Sequence, residues 1–238
     1  TALRDAGLHE EGLEYCRRAV KFKPKLVAAH SNLNFSLLYH PDYDVELIRQ
    51  ANEDWNRRHA EPLRGLIREH QRQASQGRRL RIGYVWGDFW DHVVARNILP
   101  LFRERDRERF EVICYYNGNR HDAVTQELQA LADGWREIGA LSDEQAAEQV
   151  RKDGIDILVD LSLHTAGNRL LIFARKPAPV QVTFAGYPGS TGLKTIDYRL
   201  TDHYLDPEGE NDQDYSERLS RLESFWCYEA RGDEPEVN

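Results

Sequence analysis

The feature that most constrains this fold is a change in hydrophobic period near Leu80. From there on, short runs rich in β-branched and aromatic residues alternate with segments whose apolar residues recur at helical spacing. Such alternation predicts βαβ units and a mainly parallel, doubly wound sheet with right-handed crossovers. The predicted strands are Leu80–Val85, Phe110–Tyr116, Trp135–Ile138, Ile155–Leu161, Pro179–Phe184, Ile196–Leu200 and Arg218–Leu222, and the predicted helices are Val93–Arg103, Ala123–Ala132, Ser142–Lys152 and Asn168–Arg175.

The first third of the chain shows only helical patterns. The predicted helices are Leu8–Phe22, Leu26–Tyr39, Val45–His59 and Pro62–Ala74, with Trp55 expected to pack inward. The spacing of small and apolar residues from Gly7 to Asn34, with Pro24 between the helices, resembles a tetratricopeptide repeat, and an ordinary helical hairpin is the alternative. Because stable arrays need about three repeats, we interpret residues 1–77 as a repeat remnant with linking helices and residues 78–238 as a Rossmann-like lobe.

The repeat remnant leaves an apolar face to be covered. Helices of a repeat array normally bury such faces against neighbouring repeats. We therefore expect residues 1–40 to dock on the Rossmann-like lobe, aided by the helices of residues 45–74. Self-association of the chain through the repeat helices is the alternative.

Composition limits the functional classes. The chain has 32 basic and 40 acidic residues and a net charge of -8, which argues against nucleic acid as a partner. No apolar run is long enough to span a membrane, so no membrane partner is predicted. The isolated cysteines Cys16, Cys114 and Cys227 predict neither a disulfide framework nor a structural zinc site, and they fit a cytoplasmic location.

Loops at one edge of the predicted sheet carry the candidate chemistry, because ligands of parallel α/β sheets bind beyond the carboxyl ends of the strands. The first such turn lacks the G-x-G-x-x-G pattern, so a dinucleotide cofactor is not predicted. A glycine-rich loop at this edge suits close approach of the backbone to a ligand, although a structural turn has the same composition. The loops are Trp86–His92, Ser162–Asn168, Ala185–Gly192 and Thr201–His203.

Histidines in these loops are candidates for catalysis, and each has a structural alternative. His92 would titrate near neutral pH, as a general base should. Asp88 either orients His92 or caps the helix that follows. His164 is either a site residue or a hydrogen-bonded loop histidine. Cys114, within the second predicted strand, is expected to be buried and unreactive.

Several longer motifs occur in one order along the chain. They are Arg81–Val85 followed by Gly87-Asp88-Phe89 and His92, then Asp153–Leu161, His164–Arg169, Ala174–Gln181, Gly186–Gly189 and Ile196–Asp202. This series resembles the catalytic region of O-GlcNAc transferases, in the bacterial, SPINDLY-type branch of glycosyltransferase family 41. The resemblance extends from the repeat remnant to Trp226-Cys227-Tyr228.

The resemblance implies the Rossmann-like N-terminal lobe of a two-lobed GT-B glycosyltransferase, preceded by a tetratricopeptide superhelix. Enzymes of this family transfer a sugar from a nucleotide donor, here UDP-GlcNAc, to Ser or Thr of a protein or peptide acceptor, with inversion and without a metal or other cofactor. His92 then matches the family's active-site histidine and Asp88 the carboxylate before it. Ala185, Gly186, Tyr187 and Pro188 match the lining of the sugar and acceptor site, and His164 and Thr165 fall in the neighbouring loop.

The family pattern also places most nucleotide contacts in a second lobe, which would follow the end of this sequence. We therefore expect a part of an enzyme that does not turn over alone and that binds UDP-sugars weakly. Two alternatives stay open: a protein-interaction module without catalysis, and a transferase that uses GDP-fucose. The sequence departs from the family's common residues at Trp86-Gly87, Trp90 and Val94, and a tryptophan there would narrow the pocket.

Overall fold

A computed structural model describes residue 3 and residues 6–70 and 77–224 of the chain. Its helical part consists of α1 (His9–Phe22), α2 (Val27–Leu37) and α3 (Val45–Trp55), followed by a π-helical turn, Asn56–Ala60, and a 3₁₀ segment, Glu61–Leu66. The predicted helix Pro62–Ala74 is wrong over its described residues, because the 3₁₀ segment ends at Leu66 and Ile67 is already extended. Gly65 disfavours a longer helix here. Residues 71–74 lie outside the described residues.

An α/β lobe follows, and its predicted doubly wound parallel sheet is confirmed. Within the described residues it has seven strands in the order β3-β2-β1-β4-β5-β6-β7, with every neighbouring pair parallel. The order reverses between β1 and β4, the switch point where such sheets open a ligand crevice. The elements are β1 (Leu80–Trp86), α4 (Val93–Glu104), β2 (Phe110–Tyr116), α5 (Ala123–Leu131), β3 (Gly134–Glu137), α6 (Asp143–Asp153), β4 (Ile157–Asp160), α7 (Leu170–Phe173), β5 (Val180–Thr183), β6 (Tyr198–Asp202) and β7 (Arg218–Leu222).

Helix ends follow local signals where the sequence contains them. Ser142 caps α6 in a reciprocal capping box with Gln145. Gly154, in the left-handed conformation, ends that helix. The predicted helix Asn168–Arg175 is shorter than expected, because regular helix is limited to α7 and Lys176 has a positive φ of 46°.

Helices cover both faces of the sheet. Alternate strand residues point to opposite faces, so Tyr84 and Val85 belong to different apolar clusters. Helices α4 and α5 pack on the face of Tyr84, with Cys114, whose burial raises the pKa of its thiol as expected for an unreactive cysteine. Helices α6 and α7 pack on the face of Val85, together with Trp55. Trp55 is fully buried, which confirms its inward packing and makes the helical part a component of the lobe's core.

The helical part docks along the carboxyl edge of the sheet. Asn52 Nδ2 in α3 donates a hydrogen bond to the Ser190 carbonyl oxygen at 3.3 Å. Ser31 Oγ in α2 lies 3.3 Å from His164 Nδ1. The expected docking of the repeat helices on the lobe is confirmed by these contacts. The boundary predicted between residues 77 and 78 falls between the helical part and β1, and Cys227 lies outside the described residues.

Gly192 sets how closely α3 approaches the lobe. It has a φ of +74°, and a Cβ added there would lie 2.6 Å from the Asn52 carbonyl oxygen. Any side chain at this position therefore meets two obstacles, backbone strain and the backbone of α3.

We expect Gly192→Ala to lower the free energy of unfolding by about 2–4 kcal/mol, because about 1–2 kcal/mol of left-handed strain adds to overpacking against α3. Gly209→Ala is the matched control, since Gly209 has a φ of +78° with nothing within 4 Å of an added Cβ. Urea denaturation of both variants measures the difference. Equal losses in the two variants would show that the contact with Asn52 is unimportant.

Candidate functional site

The candidate site lies at the carboxyl edge, around the switch point between β1 and β4. Strand β1 ends at Trp86, β4 at Asp160 and β5 at Thr183, so the loops of residues 87–92, 161–169 and 184–197 meet there. Helix α2 of the helical part contacts the last two of these loops through Ser31 and Phe35. All sequence-predicted site residues fall in these loops, but the structure gives them different roles.

His92 lies in the first loop and caps helix α4. Its Nδ1 accepts a hydrogen bond from the Val94 backbone N–H at 3.2 Å. The alternative in which Asp88 caps this helix is therefore wrong. Residues 88–92 also form a loop rather than a helical turn, so Asp88 does not reach His92 through helical spacing.

The cap determines which nitrogen of His92 faces a ligand. Because a backbone N–H donates to Nδ1, the proton of the neutral ring is on Nε2. Burial lowers the pKa of His92; the Asp88 charge opposes this effect, and Arg96 adds to it. The half-buried ring is therefore neutral near pH 7, with Nε2–H as a donor. Action as a general base would require the ring to move its proton to Nδ1 and release the cap.

Two tryptophans border the His92 ring. Trp86 and Trp90 meet it edge-on, with ring centroids 5.2 and 5.4 Å from the imidazole. Trp90 Nε1 donates a hydrogen bond to Asp88 Oδ1 at 3.1 Å. Within the described part of the chain no hydrogen bond or ion pair joins Asp88 directly to His92. Trp90 thus links the two residues, because it contacts the His92 ring and donates a hydrogen bond to the Asp88 carboxylate.

His164 lies in the core of the joint between the helical part and the lobe. Its ring is fully buried, with Nε2 2.9 Å from the Thr191 carbonyl oxygen and Nδ1 3.3 Å from Ser31 Oγ. A carbonyl only accepts, so Nε2 carries the proton and Ser31 donates to Nδ1. Trp55 Nε1 in turn donates to Ser31 Oγ at 3.0 Å. This is the hydrogen-bonded loop histidine considered as an alternative, and it leaves no ring surface for a ligand.

Further histidines surround this joint. His30 Nδ1 lies 3.0 Å from His59 Nε2, and Trp55 packs against the rings of His59 and His164. Burial, as the largest cause, lowers the pKa of His30 and of His164 to about 4, and it also lowers the pKa of His59. The joint is therefore built from neutral histidines.

The glycine-rich loop after β5 packs tightly against its neighbours. A Cβ at Gly186 would lie 2.7 Å from the Leu163 side chain, so this glycine allows packing against the loop after β4. The Tyr187 hydroxyl accepts a hydrogen bond from the His164 backbone N–H at 3.2 Å, and the Tyr187 ring packs against Phe35 of α2. Ala185 has a positive φ of 63°, and Pro188 is exposed. The loop is thus held in place by its packing, with Pro188 toward solvent.

Arg199 supports this loop from beneath, a role that the sequence analysis missed. It is 1% exposed, and its Nη1 donates to the carbonyl oxygens of Tyr187 and Gly189 at 3.3 and 3.2 Å. Its Nε lies 3.7 Å from Asp206 Oδ2, and its guanidinium lies over the Tyr215 ring. A charged residue within a predicted buried strand was the signal that could have revealed it, because such charges are buried only when paired.

Glu217 holds the far end of the same loop. It is 2% exposed, and its carboxylate accepts hydrogen bonds from Ser190 Oγ at 2.7 Å and from the Thr191 N–H at 2.8 Å. Loop residues 187–191 are therefore anchored to two buried charged side chains. The sequence analysis did not single out Glu217, which directly precedes β7.

A cleft lined by both polar and apolar residues opens beside these loops. It has a volume of about 430 Å³ and lies between α2 and the loops that follow β3 and β4. Thr165 lines it, half-buried, and donates a hydrogen bond from Oγ1 to the Ser162 carbonyl oxygen at 2.8 Å. Asn32 and Asn168 line it as well. Of the predicted loop residues, Thr165 is thus one that reaches a cavity.

Comparison with known proteins identifies the family. The model of glycosyltransferase family 41 matches residues 62–230, which is most of the chain. The chain belongs to glycosyltransferase family 41. Its predicted membership of this family and its fold class, the Rossmann-like N-terminal lobe of a GT-B glycosyltransferase behind repeat-like helices, are confirmed.

Relatives of this family 41 chain include plant and bacterial proteins. A "Probable UDP-N-acetylglucosamine–peptide N-acetylglucosaminyltransferase SPINDLY" from Oryza sativa subsp. japonica is 36% identical over 216 residues, which cover 89% of this chain and 23% of that protein. The protein named SEC from Arabidopsis thaliana is 38% identical over 152 residues, 63% of this chain and 15% of that protein. A solved mutant O-GlcNAc transferase from Thermobaculum terrenum matches with a TM-score of 0.88 at 41% identity, over 94% of this chain and 43% of that one.

Among the described residues, no group of three or more His, Cys, Asp or Glu side chains is arranged to hold a metal ion. No helix in the described ranges is long and apolar enough to cross a membrane.

The buried histidines predict a pH-dependent joint. The folded pKa of His164, about 4, lies below the ordinary value of 6.5, so the unfolded chain binds more protons between these values. The contribution of His164 to the free energy of unfolding is therefore fully present well above pH 6.5. It decreases by on the order of 3 kcal/mol as the pH falls toward 4. Chemical denaturation between pH 7.5 and 4.5 measures the slope.

The control for this prediction is His164→Gln, which keeps a side-chain donor near the Thr191 carbonyl but does not titrate. We expect the variant to be less stable at pH 7.5 and to lose less stability on acidification than the wild type. Parallel pH profiles for the two proteins would contradict the assignment, since carboxylates elsewhere contribute equally to both.

We expect Arg199 on β6 to contribute far more to stability than Arg218 on the adjacent strand, β7. Arg199→Leu leaves Asp206 buried without its ion pair and is expected to cost about 3–5 kcal/mol in unfolding free energy. Arg218→Leu is the control, because Arg218 is exposed on β7 and donates a hydrogen bond to the Tyr198 hydroxyl. This substitution should lower the unfolding free energy by about 1 kcal/mol or less. Thermal and urea unfolding of both variants tests the contrast, and a similar loss in both would refute it.

Proposed function

We propose that this chain is part of a protein O-glycosyltransferase that transfers GlcNAc from UDP-GlcNAc to Ser or Thr of a protein acceptor. Its relatives carry names that specify UDP-N-acetylglucosamine as donor and a peptide as acceptor. The observation that carries the proposal is the placement of His92, with Asp88 held beside it, at the end of β1 where parallel sheets bind ligands.

The reaction proposed is an inverting displacement. The acceptor hydroxyl attacks the anomeric carbon while the nucleoside diphosphate leaves, so charge develops on the diphosphate and the hydroxyl must lose its proton. No metal or other cofactor is invoked. A polar group close to the hydroxyl and dipoles close to the diphosphate would each lower the barrier.

His92 is the proposed group beside the hydroxyl, and Nε2 is the atom that acts. In the capped state Nε2–H donates a hydrogen bond and can hold a ligand oxygen. Proton acceptance at Nε2 requires the other tautomer, in which Nδ1 is protonated and the Val94 N–H loses its partner. The two roles differ in their consequences for substitution, which makes them separable by experiment.

The remaining assigned residues would surround the acceptor and the sugar. Ala185, Gly186, Tyr187 and Pro188 form the loop proposed to line that site, with Arg199 and Glu217 fixing its shape. Thr165 borders the cleft beneath α2, which we propose receives part of the acceptor. His164 contributes by holding α2 in place. The protein is proposed to act in the cytoplasm, on the basis of its isolated cysteines.

We expect His92→Ala in the complete protein to reduce turnover on a peptide acceptor by about 10²–10⁴-fold. Affinity for the donor should fall less than turnover does. Because His92 also caps α4, alanine removes a cap worth about 1 kcal/mol as well. Turnover and donor affinity are therefore measured separately, with the unfolding free energy of each variant.

His92→Asn is the matched control, because asparagine is a strong helix cap that cannot act as a base near neutral pH. A large loss of turnover in a stable His92→Asn protein supports proton acceptance by His92. Retained turnover in His92→Asn together with loss in His92→Ala restricts its role to hydrogen bonding and capping. Normal turnover in both variants would remove His92 from the reaction.

Product analysis with UDP-GlcNAc and GDP-fucose decides the donor. Absence of transfer with either donor supports an interaction module.

A further inference from the structure

We propose that Trp90 is a positioning residue that holds the Asp88 carboxylate and the His92 ring in one arrangement, with Arg120 as the brace that holds Trp90. The inference rests on the proposed function, because it concerns the same site.

Trp90 is tied to Asp88 twice. Its indole Nε1 donates a hydrogen bond to Asp88 Oδ1 at 3.1 Å, and its backbone N–H donates to the Asp88 carbonyl oxygen at 2.7 Å. The side-chain bond is charge-assisted and directional. A carboxylate in a loop is free to rotate unless a donor of this kind fixes it, so Trp90 sets where the negative charge of Asp88 lies.

Trp90 also limits the His92 ring. The imidazole meets the indoles of Trp86 and Trp90 edge-on, with interplanar angles of 73° and 75°. Trp86 is 2% exposed and belongs to the sheet core, so its position is fixed by packing. Trp90 is only half-buried and needs another support.

Arg120 supplies that support from the loop after β2. Its guanidinium carbon lies 4.1 Å from the centroid of the Trp90 ring, the distance of a close cation–π contact. The Arg120 backbone is itself fixed, because its N–H donates to the Tyr116 hydroxyl at 2.9 Å and its carbonyl accepts from that hydroxyl. Tyr116 is fully buried. The order of support therefore runs from the core through Arg120 to Trp90.

Other charged groups near His92 have their own partners. Asp91 pairs with Arg96 at 3.0 Å, and the Asp122 carboxylate caps α5 and accepts the Asp91 N–H at 2.9 Å. Arg120 Nη2 lies 3.9 Å from Asp122 Oδ2. Asp88 is the acidic group whose direction depends on Trp90.

The test is the titration of His92 in this chain, followed by NMR of its Cε1–H resonance. Trp90→Phe keeps the aromatic packing but removes the N–H donor to Asp88. The freed carboxylate can then turn toward the imidazolium, so we expect the pKa of His92 to rise. Trp135→Phe is the matched control, because Trp135 Nε1 makes the same kind of bond, to Glu137 Oε1 at 2.8 Å, on β3.

A second variant covers the case in which Trp90→Phe does not fold. Arg120→Lys keeps the positive charge but loses the planar stacking surface, and the residue is exposed. We expect it to move the His92 titration in the same direction by a smaller amount. His92 titrations that coincide in the wild type, Trp135→Phe and every folded variant at positions 90 and 120 would overturn the proposal.

Activity in the complete protein separates this inference from the proposed function. We expect Trp90→Phe to lower turnover by about tenfold, which is less than the 10²–10⁴-fold loss expected for His92→Ala, with little change in donor affinity. A shifted His92 titration together with normal turnover of His92→Ala would support the positioning role and contradict the proposed catalytic role. An unchanged titration together with lost turnover in His92→Ala would support the proposed catalytic role of His92 and contradict the positioning role of Trp90.

Discussion

The hydrogen-bond chain from Trp55 through Ser31 and His164 to the Thr191 carbonyl is the interaction on which the candidate site depends. Each member is buried, and a buried polar group without a partner costs about 1–3 kcal/mol. All of these hydrogen bonds form only when α2 and α3 lie against the loops after β4 and β5. This hydrogen-bond chain therefore fixes the helical part over the carboxyl edge of the sheet, and the cleft beside Thr165 exists because α2 forms one of its walls.

The hydrophobic period predicted the parallel sheet, because this signal lies within short stretches of sequence. The capping box of Ser142 and Gln145 is equally local, since every atom involved comes from one helical turn. His164 could not be assigned in this way. Its role is decided by Ser31, 133 residues earlier, and no local pattern records a contact at that separation. Arg199 was overlooked for a related reason, because its partners come from two loops that only the tertiary fold brings together.

His92 combines a structural and a proposed chemical role, and the first constrains the second. A serine or aspartate at this position would cap α4 as well, so capping alone does not require histidine. The cap bond from Val94 fixes the tautomer and orients the ring, as outer hydrogen bonds do for other reactive histidines. The same bond ties up Nδ1, so that any exchange with a ligand must use Nε2. The pKa of His92, lowered chiefly by burial, keeps that nitrogen within a neutral ring.

The loop after β5 illustrates how buried charges can fix geometry without adding much stability. Arg199 pairs with Asp206 in the interior, and the desolvation of such pairs offsets most of their attraction. Removal of either partner alone is nevertheless costly, because the other side chain would remain buried, charged and unpaired. Arg199 and Glu217 together engage the backbone of Tyr187, Gly189 and Thr191, so the loop is anchored at three backbone positions. For the proposed sugar transfer, a loop anchored in this way would meet the requirement that dipoles be in place before the reaction begins.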